Sequence, residues 1–236
     1  MKIDPRMLDE SIKILVSTYD SKLKEIRQKI KVLHGKFEKR VQDRVFATRH
    51  ETSFGLFFSE YILNLPLLDI KTPIDTILLN ARRLCEALIV IKHFNLQNNF
   101  EEMVLFCDRD WWEYLEGSQS WATANEALFV ELQNMPDMNA PFRKELENLK
   151  SKYNGKKPIK MPNIKQMAEV VGLEEEYKYF YKLSSKILHF CPFSFNGDLS
   201  FEAPIHKIIF LMRFERYLEK IKEELDKVYE KTKLKN

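Results

Sequence analysis

From Leu8 to Val41 the apolar residues recur at intervals of three or four: Leu8, Ile12, Leu15, Tyr19, Leu23, Ile26, Ile30, Leu33, Phe37 and Val41. Spacing of that kind lays a single stripe along one face of an α-helix. Asp4 can cap this helix, and Pro5 suits its first position, where the missing N–H leaves no bond unmade. A helix unbroken to Ala47 is roughly 60 Å long at 1.5 Å per residue. Such a stripe has to be covered over its whole length, which demands other long helices beside it or a second chain. Gly35 and the crowded Arg49, His50 and Thr52 are the expected weak points.

Glycine usage supports the same reading. Six glycines in 236 residues is roughly a third of ordinary usage, too few for the many tight turns of a sandwich or barrel. No glycine-rich phosphate loop is present, so a Rossmann or P-loop nucleotide site is not expected. With 44% hydrophobic and 31% charged residues the chain has a globular makeup. Cys85, Cys107 and Cys191 are odd in number and far apart, the usage of free thiols in a reducing cytoplasm. The N-terminus lacks an apolar h-region. The most apolar stretch, Thr52 to Leu68, holds Glu60 and Pro66 and falls short of the ~20 apolar residues a membrane span needs. A cytoplasmic protein without a membrane segment is expected.

Beyond the first helix, the periodicity predicts helices over about 54–65, ending at Pro66, and from Thr72-Pro73 to about Phe94. Two aromatic, acidic helices follow over 101–116 and 121–134. Residues 134–162 hold four of the nine prolines and the Asn154-Gly155 turn signal. They read as an irregular insertion or lid around a helix near 142–152. Asn163 caps a short helix ending near Gly172. A stronger helix spans 174–190, a loop with Asn196-Gly197 spans 191–204, and a last helix runs over 205–231. The expected architecture is all-α, an up-and-down helical bundle with additional helices in one domain over 1–236. Its parts are a long N-terminal helix (1–50), central helices (51–133), the insertion (134–162) and C-terminal helices (163–236).

Net charge is only +3, but it is unevenly placed. Ser21 to His50 holds ten Lys/Arg against three Asp/Glu, whereas Glu101 to Lys150 holds four against eleven. The two segments can pair with each other or between subunits, or the basic one can face phosphate. Both can equally be solvated helix faces. Trp111, Trp112 and Trp121 sit in the acidic stretch, which would repel phosphate, so they read as core or interface aromatics.

Two constellations can carry chemistry. Tyr177, Tyr181, Ser185 and His189 follow one another at i+4 along one helix, and His189 in its last turn is placed to exchange a proton near neutral pH. The competing reading is an internal hydrogen bond between Ser185 and His189 in a bundle. Arg82, Glu86 and His93 share a face of a largely apolar helix, with Arg83 adjacent. A buried Arg–Glu pair adds little to stability, so it invites a functional reading, although an orienting pair that fixes register fits equally. No CxxC or HxxxH spacing supports zinc, and no cofactor is expected. Cys191 lies two residues from His189 and points elsewhere, so a Cys–His nucleophile is not expected.

Arg82-x-x-x-Glu86, then Met167-Ala168 and Gly172-Leu173 leading into Tyr177-x-x-x-Tyr181-x-Leu183-Ser184-Ser185-x-x-x-His189, resembles a bacterial helical family of unknown function. Its pattern is an R-x-x-x-E helix and a later Y-x-x-x-Y-x-x-L-S-x-x-x-H helix. The likeness spans about Pro73 to Pro192. More distantly, the chain resembles the HEPN (higher eukaryotes and prokaryotes nucleotide-binding) superfamily of helical bundles. That resemblance implies a metal-independent ribonuclease of a toxin, defence or stress system, acting as a dimer. Its signature is an arginine, a polar residue and then a histidine four to six residues after the arginine. Here serine stands in the arginine's place before His189, while Arg44 to His50 meets the spacing literally.

The resemblance implies His189 as acid or base, Arg82 or Arg83 as phosphate clamp, Ser185 and Tyr181 as orienting groups, and RNA as substrate. On that reading Glu86 belongs to the catalytic group, and Tyr177 and His93 to substrate binding. Two other classes stay open: a non-enzymatic module that binds a protein partner, and a small-ligand sensor with the Tyr/Ser/His face lining a pocket.

Overall fold

The computed structural model describes residues 5–42, 49–69, 71–124, 140–181 and 204–233. Among them are eight α-helices and one π-helical turn, with no strand. The helices are α1 (Pro5–Gln42), α2 (Arg49–Leu63), α3 (Ile74–Gln97), α4 (Glu102–Ala124), α5 (Ala140–Lys152), α6 (Ile164–Val170), α7 (Glu174–Glu176) and α8 (Pro204–Lys233). The π-turn, Tyr177–Tyr181, continues directly from α7. No helix among the described residues is long and apolar enough to cross a membrane. The fold is all-α.

The chain divides into two compact units, one of residues 1–98 with 163–236 and one of residues 99–162. In the first, α1 buries the expected stripe: Ile12, Tyr19, Leu23, Ile26, Ile30, Leu33 and Phe37 are all in the core. The helix runs straight through Gly35, because the ~1 kcal/mol cost of one glycine is small beside the burial on either side of it. Val41, the last member of the stripe, is exposed.

Pairings along the helices set the topology. Tyr19 donates to the carbonyl of Pro66 at 3.3 Å and His34 meets Ser59 at 2.8 Å, so α2 runs antiparallel to α1. Phe54 of α2 lies 5.1 Å from Phe94, which turns α3 back again. Helix α8 then lies beside α1 and α3 in the same direction as both. Tyr19 faces Phe214 (5.0 Å) and Phe37 faces Tyr229 (5.5 Å), while Lys207 reaches the Thr72 carbonyl and Asn95 reaches Glu224. Up-and-down alternation therefore holds for α1 to α3. The parallel placement of α8 requires the long connection that residues 98–203 supply.

Among the described residues, the second unit contains the helix pair α4 and α5, closed around Trp112, Leu115, Leu146 and Leu149 with Phe142 and Tyr153 at the margin. Where two helices were expected over 101–116 and 121–134, α4 continues through Gly117 to Ala124; residues 125–134 lie outside the described residues. Helix α5 occupies the expected insertion. The expected helix over 174–190 is described only to Tyr181, as one α-turn followed by the π-turn.

Gly55 shows how tightly α2 packs on α1. A Cβ at this buried position would come within 2.2 Å of Phe37 Cζ and 2.5 Å of Cε1, and that ring is fully buried edge-on against Tyr229. Alanine would gain ~1 kcal/mol in helix propensity, but displacing a locked aromatic costs about 1–3 kcal/mol. Urea unfolding of Gly55→Ala is therefore expected to show a lower midpoint than wild type; an unchanged or higher midpoint would mean that Phe37 moves freely.

Candidate functional site

Three segments meet where α3, the α7–π-turn segment and α8 pack together. The middle one arrives there by a defined route. Asn163 caps α6 in a reciprocal capping box with Gln166, and Met167 and Ala168 are buried. Gly172 then takes a left-handed conformation (φ +70°) while the Leu173 N–H closes onto the Ala168 carbonyl at 2.8 Å. Such a left-handed residue commonly ends a helix, and glycine adopts it without a Cβ penalty. The chain next enters α7 and the π-turn, which lays Glu176, Tyr177, Phe180 and Tyr181 toward the other two helices. Single-turn π-helices often occur at functional sites.

On the outer part of this junction, Arg82 Nε donates to Glu86 Oε1 at 2.9 Å, with the side chains 17% and 31% exposed. The Arg82 guanidinium lies 4.2 Å from the centre of the Tyr181 ring, a cation–π distance. Tyr181 in turn stacks on Tyr177 at 4.7 Å and 23°. Burial disfavours the charged form of Arg82, but Glu86 and Tyr181 more than offset it and hold the arginine pKa up. Burial, and then the neighbouring Tyr181, raise the Tyr177 phenol. Four residues nearly a hundred positions apart thus form one half-buried cluster.

A second network lies deeper in the same junction and was not foreseen. Glu176 accepts from Tyr217 Oη at 2.6 Å and from Arg213 Nη1 at 2.9 Å. Arg213 also sits 5.7 Å from the Phe180 ring. The Cys85 thiol is hydrogen-bonded to Tyr217 and, through burial above all, has its pKa pushed up to about 12. Burial likewise drives the Tyr217 hydroxyl far above the ordinary phenol range. In the sequence Tyr217 reads as one member of an apolar stripe and Cys85 as a buried small residue. The available signal was the i, i+4 pair Arg213 and Tyr217, two hydrogen-bonding side chains on the face that the last helix buries.

The remaining expected residues are distributed as follows. Arg83 is exposed on the next face of α3, where its charge acts on the Tyr61 hydroxyl. His93 does not share the Arg82–Glu86 cluster; it lies some two turns farther along α3, 6% exposed, with its ring edge-on to Phe94 at 5.9 Å. A seven-residue step returns to nearly the same face but lies about 10 Å farther along the axis, and there that face of α3 is buried. Ser185, His189, Cys191 and Arg44 lie outside the described residues.

A Ser–His–Glu arrangement also occurs between α1 and α2. His34 Nδ1 is 2.8 Å from Ser59 Oγ, and His34 Nε2 is 3.6 Å from Glu38. It does not make a nucleophile. Ser59 is fully buried, and its hydroxyl already donates to the Leu56 carbonyl at 2.9 Å, which leaves the serine as an acceptor from histidine.

Cysteine chemistry checks the deeper network. At pH 8 a thiol with a pKa near 12 is thiolate in only about one molecule in 10⁴, and its burial blocks reagent as well. Iodoacetamide followed by peptide mapping is expected to label exposed Cys107 in the native protein and to label Cys85 only in denaturant. Native labelling of Cys85 at a comparable rate would show that the junction opens. No curated protein and no solved structure matches the chain. A family match does cover residues 72–208, which holds Arg82, Glu86, Tyr177, Tyr181, Ser185 and His189. Since that match takes in more than half of its length, the chain belongs to the family of unknown function DUF5677.

Proposed function

We propose that the protein is an RNA-directed, distantly HEPN-like effector of a defence or toxin–antitoxin system that cleaves RNA without a metal ion. The observation that carries this reading is the meeting of Arg82, Glu86, Tyr181 and Tyr177. Ser185 and His189 follow Tyr181 by only four and eight residues in the chain. An arginine held by a carboxylate through Nε is an oriented cation, suited to a phosphate. A tyrosine stack beside it is a surface on which a nucleobase can lie. The surplus of positive charge between Ser21 and His50 favours approach of a polyanion and makes that approach salt-sensitive.

In the proposed reaction the 2′-hydroxyl attacks the adjacent phosphorus, forming a 2′,3′-cyclic phosphate and breaking the bond to the 5′ oxygen. One imidazole takes the 2′-OH proton and an acid returns a proton to the departing 5′ oxygen. His189 serves as acid or base, and a second copy of the chain would supply the other role. Arg82 stabilises the charge that builds on the phosphoryl oxygens. Glu86 orients Arg82, while Ser185 and Tyr181 position the substrate and Arg83 extends the cationic edge.

The test is cleavage of a labelled single-stranded RNA in EDTA, paired with growth after expression in a bacterium. Wild type is expected to yield cyclic-phosphate ends and to arrest growth. His189→Ala should lower the rate by about 10²–10⁴, and Arg82→Ala by about 10²–10³. Harmless growth of wild type together with intact RNA would overturn the reading.

A further inference from the structure

Helix α1 buries one face, and the chemistry of its outer surface is uneven. Lys13, Ser17, Ser21, Lys24, Gln28 and Lys31 follow one another at intervals of 4, 4, 3, 4 and 3, and all six are exposed. They make one stripe ~27 Å long, on which Lys13, Lys24 and Lys31 lie within about 20° of one another. The stripe holds no carboxylate and no aromatic ring. Among the described residues its three lysines and two serine hydroxyls make no ion pair or hydrogen bond. Other lysines of the same helix are engaged: Lys22 meets Glu219 at 2.6 Å, and Lys29 meets Glu25.

Part of the stripe borders a cleft of about 510 Å³, where Lys13, Ser17, Ser21 and Lys24 face Leu68 and Asp69. Two carboxylates line this cleft, and both are turned to main-chain donors. Asp20 accepts from the Leu68 N–H at 3.1 Å, and Asp69 accepts from the Lys71 N–H at 2.7 Å. The cations and hydroxyls are left for an incoming group. Lysine, serine and glutamine are among the side chains that hold phosphate oxygens in nucleic-acid complexes. Three cations on one line, with neutral donors between them, suit a strand whose negative charge repeats at regular steps. With no aromatic ring to stack on, the bases of such a strand go unread.

We propose that this α1 stripe is a phosphate-binding track for single-stranded RNA, holding the backbone without reading its bases. Lys13, Lys24 and Lys31 meet phosphate oxygens, while Ser17, Ser21 and Gln28 donate between them. The inference rests on the RNA reading above and adds where the strand is held. It goes beyond attraction at a distance, because each lysine takes a phosphate and releases a counterion.

A labelled 2′-O-methyl RNA of about 20 nucleotides covers the site size of single-strand binders. It has no free 2′-hydroxyl to attack, so it reads binding apart from cleavage. Wild type is expected to bind it less tightly as salt rises. Changing Lys13, Lys24 and Lys31 together to glutamine should weaken binding about tenfold or more at about 100 mM salt. The slope of log affinity against log salt should fall by about 2, roughly 0.7 for each lost contact. Lys29→Gln removes the same charge from a paired lysine on another face and should change neither quantity. Polyglutamate of matching length should compete at least about tenfold less well than unlabelled RNA. Circular dichroism matching wild type qualifies each variant; if the triple variant unfolds, Lys24→Gln alone decides, by a slope lower by about 0.7. Wild-type affinity and slope in the lysine variants, a loss in Lys29→Gln equal to that in Lys24→Gln, or polyglutamate competing as well as RNA would overturn the track. The RNA reading survives each of those results if wild type still cleaves RNA, whereas a wild type that neither binds nor cleaves RNA ends both.

Discussion

The slot between α1 and α3 is lined with apolar side chains, and α8 is the element that fills it. Phe210, Phe214, Tyr217, Leu218, Ile221, Leu225 and Val228 are buried there, each contributing about 1.5–3 kcal/mol of hydrophobic stabilisation relative to exposure. Without α8, the Tyr19 and Phe37 faces of α1 and the inner face of α3 would stand open to water. The candidate site depends on the same insertion. Arg213 and Tyr217 are carried in on α8, and Glu176 receives both.

This makes Glu176 the link between packing and chemistry. Its carboxylate is offered two donors, one of them charged, in a partly buried setting where an unpaired acid would be costly. Satisfying it holds α7 against α8, and the π-turn that follows delivers Tyr177 and Tyr181 to the face where Arg82 and Glu86 lie. The inner network thus acts as a post and the outer cluster as the surface it positions. Cys85, hydrogen-bonded to Tyr217 from α3, joins the third helix to that post.

The second unit follows a different economy of surface. Among its described residues, α4 and α5 close around Trp112, Leu115, Leu146 and Leu149, while Trp111 and Tyr114 stack on each other at the surface. The carboxylates of α4 are answered from the same unit, Asp108 by Lys152, Glu113 by Arg109 and Glu116 by Lys157.

Period and punctuation made the architecture legible. The 3-4 spacing of α1, the Thr72-Pro73 start of α3, the Asn163 cap and the stripe of α8 are local signals, and a helix is a local structure whose hydrogen bonds close within four residues. The Arg82–Glu86 pair was legible for the same reason, since i, i+4 neighbours on a helix meet whatever the rest of the chain does. The extent of α4 was not, because one glycine is a weak breaker once both sides of it are anchored by packing. Nor could spacing alone keep His93 beside Glu86, since a seven-residue step on the same face lies about 10 Å farther along the axis, where α3 is buried. The parallel run of α8, the π-turn, the meeting of Glu176 with Arg213 and Tyr217, and the seating of Arg82 on Tyr181 were decided only by the tertiary structure. Each brings together groups far apart in the chain, and nothing in local sequence spacing encodes which buried faces will choose each other.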